Sequence, residues 1–455
     1  MCLNGCSNML RIVVRAKKDG DAVKASLETF YKGWDIEVVT LKGEREPGRI
    51  LERLQEIPGD RLALFLVGRE DYRVLEVAPH APLHVVVHPI KYKKVRNART
   101  IVISREIEKG KAKARLGVSW DNARNVYLFD HRVPQLFSDV SPAYDVFLPV
   151  GEDATKRLEE LLGVGLSQPL LLRKMGGVHD VYDCGLHIGQ LIFPDTGRPS
   201  AVLNRNPVPC TPTAPQKIVN VNAEAVKTLE NISLRFLESI VGVKRVYVPL
   251  SGGKDSAATL ILATKVWGNK VRAVYVDTGV DFPQNRESAE SLAASLGVEL
   301  DEIYAPVREG IATKGLPTHE DRWCTGLKVA ALHSYLKRQG ADEATLVVVG
   351  DRDAESRGRS RRPPLRQEGN WRVAAPLKLW GSHHVLLYLV AEGVPLNPLY
   401  MQGFYRTGCY VCPSLRGWEL YVMEKTGILE KLRKKSPSLL GDFLAAKEWL
   451  PGDPD

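Results

Sequence analysis

The chain has 455 residues, 44% hydrophobic and 26% charged, with 63 Lys+Arg against 54 Asp+Glu for a formal charge of +9. That length exceeds one ordinary core and implies about two to four domains, while the composition excludes a disordered or fibrous chain. The basic excess suits an anionic ligand, nucleotide or RNA, without choosing between them, and equally suits a solvated face. The longest apolar runs, such as Leu62–Val67 and Val85–Val87, are too short for a membrane span. The start, MCLNGCSNMLRIVV, lacks the pattern of a secretion signal, so a cytoplasmic protein with no membrane partner is expected. Seven cysteines do not make a disulfide framework in a chain this long, and closely spaced ones suggest metal or redox chemistry. Cys2 and Cys6 precede the first expected strand and are read as tail residues.

Residues 9–150 alternate short apolar runs with amphipathic stretches: Leu10–Val14, Ala22–Tyr31, Ile36–Leu41, Arg49–Ile57, Leu62–Val67 and Leu83–His88. Such strand–helix alternation predicts an N-terminal α/β domain. No glycine-rich phosphate loop follows its strands, so it is assigned no catalysis. Two basic runs, Lys91–Arg99 and Lys109–Arg115, have the composition to track a phosphate backbone, but a solvated charged face is the preferred reading. Residues 151–215 start with a helical stretch, Asp153–Leu162. Short β-like pieces follow at Gln168–Arg173, Val178–Tyr182, Gln190–Phe193 and Ala201–Leu203. They predict a small β-rich module, and the Pro-rich Asn206–Gln216 reads as its exit linker.

From residue 216 a helical stretch, Ala223–Val241, leads to the sharpest signal in the chain. VYVPL is a buried-strand run, SGGKDS (Ser251–Ser256) a tight turn, and AATLILATKVW an apolar helix. Gly252 and Gly253 let the backbone approach an anion without Cβ obstruction. The helix N-terminus presents unpaired N–H groups, Lys254 a point charge, Ser251 and Ser256 hydroxyl donors, and Asp255 completes the motif. The spacing is not G-x-x-x-x-G-K-[ST], so this is not an ordinary P-loop. A second strand, Val271–Val276, ends in DTGVDFPQNRE, which places Asp277 at the edge where a ribose or adenine binds. Further on come RWCTGLK (Arg322–Lys328), GDRDAESRGR (Gly350–Arg359) and NPLYMQGFYRTGCYVCP (Asn397–Pro413). Gly350, Arg352, Glu355 and Ser356 follow the strand Thr345–Val349, and the arginines of 352–366 have forks suited to phosphate or sulfate. His383 and His384 are read as surface residues at a helix start.

Together these strings resemble the phosphoadenosine phosphosulfate (PAPS) reductase family of the PP-loop superfamily, particularly its archaeal-type multi-domain members. The resemblance covers roughly 246–414. It implies a parallel sheet flanked by helices over 216–455, binding ATP or a sulfonucleotide (PAPS or APS), with Arg406 facing the anion. An iron–sulfur-bearing branch uses two adjacent cysteines plus a distal C-x-x-C. Here the pair is Trp323-Cys324, so Cys324, Cys409 and Cys412 are three thiolates where four are expected. They could hold a [4Fe–4S] cluster with an open iron, hold zinc with an outside ligand, or form a redox disulfide. Cluster-free members end in Glu-Cys-Gly-Leu-His with a nucleophilic cysteine. This chain has DCGLH at Asp183–His187, upstream of the phosphate loop, which makes Cys184 a second candidate nucleophile beside Cys324.

Three functions follow. One is a PAPS-reductase-like enzyme, Lys254 and Asp255 serving catalysis and a thioredoxin-like reductant restoring the thiol. Another is an ATP-dependent tRNA sulfurtransferase, with the upstream domains holding RNA. The last is a non-catalytic nucleotide-binding regulator, disfavoured by the presence of Lys254, Asp255 and the cysteine set.

Overall fold

The computed structural model describes residues 8–449, so Cys2 and Cys6 lie outside the described residues. Four parallel strands, β1 (Leu10–Val14), β2 (Glu37–Thr40), β3 (Leu62–Val67) and β4 (Val85–Pro89), form the first sheet in the order β2-β1-β3-β4. β3, and β1 apart from Arg11, are apolar, and both strands are buried on both faces because helices cover each side. Ile12, Val14, Leu64 and Leu66 meet one core, and Val13, Ala63, Phe65 and Val67 the other, as period-two alternation requires. The second core is closed by Ile50 and Leu54 of the helix Pro47–Gln55.

A short hairpin, β5 (Ser119–Asp121) and β6 (Val126–Leu128), precedes an antiparallel sheet. Its strands are β7 (Asp145–Phe147), β8 (Pro169–Arg173), β9 (Val178–Asp183), β10 (Leu186–Ile192) and β11 (Ser200–Leu203), ordered β11-β10-β9-β8-β7. β7 comes from the span expected to end the N-terminal domain, yet it pairs with β8, Asp145 opposite Arg173. Cys184, at the β9–β10 turn, is joined by a disulfide to Cys210 in the Pro-rich segment.

The third sheet is six-stranded: β12 (Arg245–Pro249), β13 (Val271–Asp277), β14 (Glu299–Tyr304), β15 (Thr345–Val348), β16 (Leu365–Glu368) and β17 (Trp371–Ala374). The order is β14-β13-β12-β15-β17-β16, every pair parallel except the last. The helices Ala223–Glu238, Lys254–Trp267, Pro283–Ser295 and Ser382–Ala391 pack on one face, where Val246, Val248, Leu346 and Ala374 point. Tyr335 and Leu336 of the helix Trp323–Arg338 cover the other face, over Tyr247, Val274 and Val347. The apolar layer of the first sheet is continuous with that of the third. Among the described residues, no helix is long and apolar enough to cross a membrane.

Candidate nucleotide site

β12 is the central strand, and its chain turns sharply before the helix Lys254–Trp267. Gly252 makes that turn possible. Its φ is +71°, and a Cβ there would overlap the carbonyl oxygen of Asn285. Asn397 Nδ2 fixes the turn from outside, donating to Gly252 O at 2.9 Å and to Asn285 Oδ1 at 3.0 Å. Within the loop, Ser251 N donates to Ser256 Oγ at 3.2 Å, and Ser256 Oγ donates to Gly253 O at 2.9 Å. The N-cap, Gly253, offers no side-chain acceptor, so the helix N-terminus keeps its positive end for an anion. Only Lys254 N is taken there by a side chain, Tyr400 Oη at 3.0 Å. Gly252→Ala should therefore abolish nucleotide binding in a calorimetric titration while the rest of the domain stays folded. Unchanged affinity would show that the turn is not the cradle.

Charges run inward from the loop in a chain. Lys254 Nζ meets Asp255 Oδ2 at 2.8 Å, Arg352 Nε meets Asp255 Oδ1 at 2.8 Å, and Arg352 Nη1 meets Asp145 Oδ2 at 2.7 Å. Asp145 Oδ1 accepts from Ser382 N at 3.0 Å. Asp145 is 0% exposed and Arg352 is 3% exposed. Burial alone would keep Asp145 protonated, but Arg352, Arg173 and Arg115 outweigh it and hold the carboxyl well below its usual range. Asp255 is likewise lowered against burial by Arg352 and Lys254. Arg352, expected as a fork for the ligand, is thus committed to two carboxylates. Asp145 escaped the sequence reading because nothing near it resembles a motif. His383 and His384, expected at the surface, are buried with ring centroids 3.8 Å apart, and burial holds both imidazoles neutral.

The loop opens on a cleft of about 1470 Å³. Ser251, Gly253, Lys254, Asp255, Ser256, Gly350, Arg352, Glu355, Ser356 and Arg406 all line it, so the structure brings most of the expected ligand set together. Glu355 accepts from Arg352 N at 3.0 Å and pairs with Arg359, while Ser356 Oγ accepts from Arg359 N at 3.1 Å. Asp277 is not in the lining: it sits at the end of β13, and its Oδ1 accepts from Gly279 N at 2.8 Å.

Among the described residues, no cysteine lines the cleft. Cys184 is spent in its disulfide, which removes the free thiol a nucleophile needs. Cys324 is buried in the first turn of the helix Trp323–Arg338. Cys409 Sγ lies 3.2 Å from Lys328 Nζ, 3.4 Å from Thr278 Oγ1 and 3.4 Å from Asp281 Oδ1. Burial, reinforced by Asp281, pushes its thiol up to about 12 against the pull of Lys328 and Thr278. Among the described residues, no group of three or more His, Cys, Asp or Glu side chains is arranged to hold a metal ion. Cys324, Cys409 and Cys412 therefore do not form such a group.

The run Lys109–Arg115, read as a solvated face or a nucleic-acid track, is largely internal. Lys111 is 1% exposed, and its Nζ meets Asp353 Oδ2 at 2.7 Å, while Lys378 Nζ meets Asp353 Oδ1 at 2.7 Å. Arg115 is buried and donates to Pro142 O at 2.6 Å. Asp353 follows Arg352 directly, so this clamp seats the N-terminal unit beside the site. In the other run, Lys93 and Lys94 pair with Glu70, and Arg96 pairs with Asp19.

The family model of the phosphoadenosine phosphosulfate reductase domain matches residues 245–415. Among curated relatives, an uncharacterized protein of Methanocaldococcus jannaschii is 29% identical over 229 residues, 49% of this chain and 46% of its own length. An adenosine 5'-phosphosulfate reductase of Deinococcus radiodurans is 32% identical over 169 residues, 36% of this chain and 65% of its own. The chain thus spans about half to two thirds of the length of these relatives. A PAPS reductase crystal structure from Candida auris is 21% identical with a TM-score of 0.33, over 44% of this chain and 98% of the other. A U34-tRNA thiolase from Methanococcus maripaludis with its [4Fe–4S] cluster gives 15% and 0.32, over 52% of this chain and 84% of the other.

Proposed function

We propose, from the premise that residues 245–415 are a PAPS reductase domain of the PP-loop superfamily, that this protein is a PAPS-reductase-like enzyme acting on an adenosine nucleotide or sulfonucleotide. One observation carries the reading: the Ser251–Ser256 cradle, with Lys254 and an uncapped helix N-terminus, opens into a cleft roomy enough for the nucleotide. The phosphates would lie on that loop, with Arg406 at the anion and Asp255 holding Lys254 in place.

Reduction of a sulfonucleotide needs two electrons. A thiolate attacks the sulfuryl sulfur, the nucleotide leaves with the S–O bonding pair, and a second thiol then expels sulfite as a disulfide forms. Cys409 and Cys412 have the spacing for such a pair, on the segment between the lining residues Thr407 and Ser414. A thioredoxin-like dithiol would restore them. Because burial keeps Cys409 protonated at neutral pH, the segment would have to open for attack. A second reading, an ATP-dependent tRNA sulfurtransferase, draws on the size of the cleft, about 1470 Å³, which leaves room for more than a mononucleotide. No step is routed through a metal cluster in either.

The test is nucleotide binding with Lys254→Ala. A charge-assisted hydrogen bond contributes about 1.5–3 kcal/mol, so affinity for ATP or PAPS should fall roughly 10- to 100-fold. Unchanged affinity removes the loop assignment. Sulfite release from PAPS or APS with a dithiol reductant supports the reductase. Its absence, together with pyrophosphate release from ATP in the presence of tRNA, supports the second reading.

A further inference from the structure

Five exposed arginines line the cleft without a carboxylate partner among the described residues, Arg105, Arg322, Arg357, Arg361 and Arg406, whereas the half-buried Arg173 is taken up by the carbonyls of Ala143 and Ala354. Of their guanidiniums, only that of Arg406 donates a hydrogen bond, to Ser414 O at 3.3 Å. Elsewhere around the cleft the rule is pairing: Arg352 with Asp145 and Asp255, Arg359 with Glu355, Lys111 with Asp353. Unpaired guanidiniums scattered on a convex face are merely hydrated. Gathered in one concavity they repel one another and raise the potential for an anion.

The concavity, about 1470 Å³, exceeds the roughly 300–1,000 Å³ of ordinary small-molecule sites. A mononucleotide on Ser251–Ser256 leaves its outer part open. Besides the loop, the cleft is walled by the N-terminal unit, through Arg105 of the helix Thr100–Arg115 and Phe30, and by Met175 between β8 and β9. Phe30 is 41% exposed and Met175 71% exposed, so the cleft lining combines guanidinium forks with open apolar side chains. Forks for phosphate oxygens interleaved with an aromatic ring are the recognition set of a single-stranded polynucleotide. Sulfate, phosphate or a free nucleotide would leave the apolar groups unused.

We propose that the outer cleft binds a single-stranded polynucleotide as a second ligand of this site. Its backbone phosphates lie on Arg105, Arg357 and Arg361, and a base lies against Phe30 and Met175. The proposal rests on the nucleotide reading for the inner cleft, and its contacts are separate from the Lys254 loop. It assigns the N-terminal unit a role: the Lys111–Asp353 clamp holds Arg105 and Phe30 over the opening.

The experiment is fluorescence anisotropy with the full chain and labelled single-stranded RNA and DNA oligonucleotides of about ten nucleotides, with and without ATP. Binding of either strand is expected, weakening with salt. Arg105→Glu should weaken it at least tenfold and lower the slope of log affinity on log salt by about 0.7, the share of one phosphate contact on a single strand. Phe30→Ala should weaken it about fivefold or more through lost stacking. Both variants should bind ATP as the wild type does, while Lys254→Ala should lose ATP and keep the strand, so failure of either reading shows by itself. No binding of either strand at low salt, equal binding of inorganic polyphosphate, or affinity unmoved by Arg105→Glu would each overturn the proposal. An unchanged melting temperature shows that the variants are folded.

Discussion

Arg352→Ala is expected to destabilise the protein by about 3–5 kcal/mol, the cost of leaving a buried charge without its partner. Two carboxylates lose the Arg352 partner at once. Asp145 has no solvent to turn to, and Asp255 keeps only Lys254. The same variant should weaken nucleotide binding, because an uncompensated Asp255 holds Lys254 more tightly and competes with the phosphates. Urea unfolding and a nucleotide titration measure the two effects. Pairing Arg352→Ala with Asp145→Asn should recover part of the stability, since the buried partner is then neutral. A single variant costing no more than a surface substitution, about 0.5 kcal/mol, would mean that this chain of charges does not hold the loop.

The same groups set an acid limb. Asp145, Asp255 and Asp353 are each lowered in the fold, their cations outweighing burial. A folded pKa below the unfolded value of about 3.9 gives stability that is complete above that value. It is lost as pH falls through the folded pKa. Asp145→Asn should therefore flatten the decline of stability below about pH 4. A limb as steep as wild type would assign it to other carboxylates.

Asp353→Ala is the second large effect. It strands Lys111 and Lys378, both nearly inaccessible, whose ammonium groups each lie 2.7 Å from its carboxylate. Lys111 retains Glu108 at 3.0 Å, but Lys378 keeps no other carboxylate within ion-pair distance among the described residues. A loss of about 3–5 kcal/mol is expected, with the N-terminal unit loosened first, because the clamp joins it to the loop after β15. Differential scanning calorimetry should show a separate low-temperature transition, and limited proteolysis should release the N-terminal unit. Lys111→Met should be milder, since Asp353 then keeps Lys378. One transition at the wild-type midpoint in Asp353→Ala would show that the apolar layer alone joins the units.

The phosphate loop was readable because its signals are local. Two glycines, a lysine and a flanking strand and helix act within a dozen residues, and Gly252 at φ +71° is the position where the backbone demands glycine. The parallel sheet was readable for a similar reason: β12 and β15 carry the buried runs Val246–Val248 and Thr345–Val348, as strands covered on both faces do. Strands β16 and β17 were not legible, since the edge strand β16 carries Arg366, Gln367 and Glu368 and the four-residue β17 is interrupted by Arg372. The basic run Lys109–Arg115 misled because composition records charge and not its partner. Lys111 is identical in sequence terms whether it faces water or Asp353.

What the amino-acid sequence determined by itself is the nucleotide cradle and the domain around it, for which short-range backbone sterics and helix-end electrostatics suffice. Tertiary structure decided which charges are free. Among the described residues, it committed Arg352 to Asp145 across more than two hundred residues, tied Cys184 to Cys210, kept the cysteines out of the cleft lining and left five exposed arginines facing the cleft without carboxylates. The physical reason is that a charge or thiol takes its character from whatever lies within a few ångströms, and the chain sets that neighbourhood only by folding.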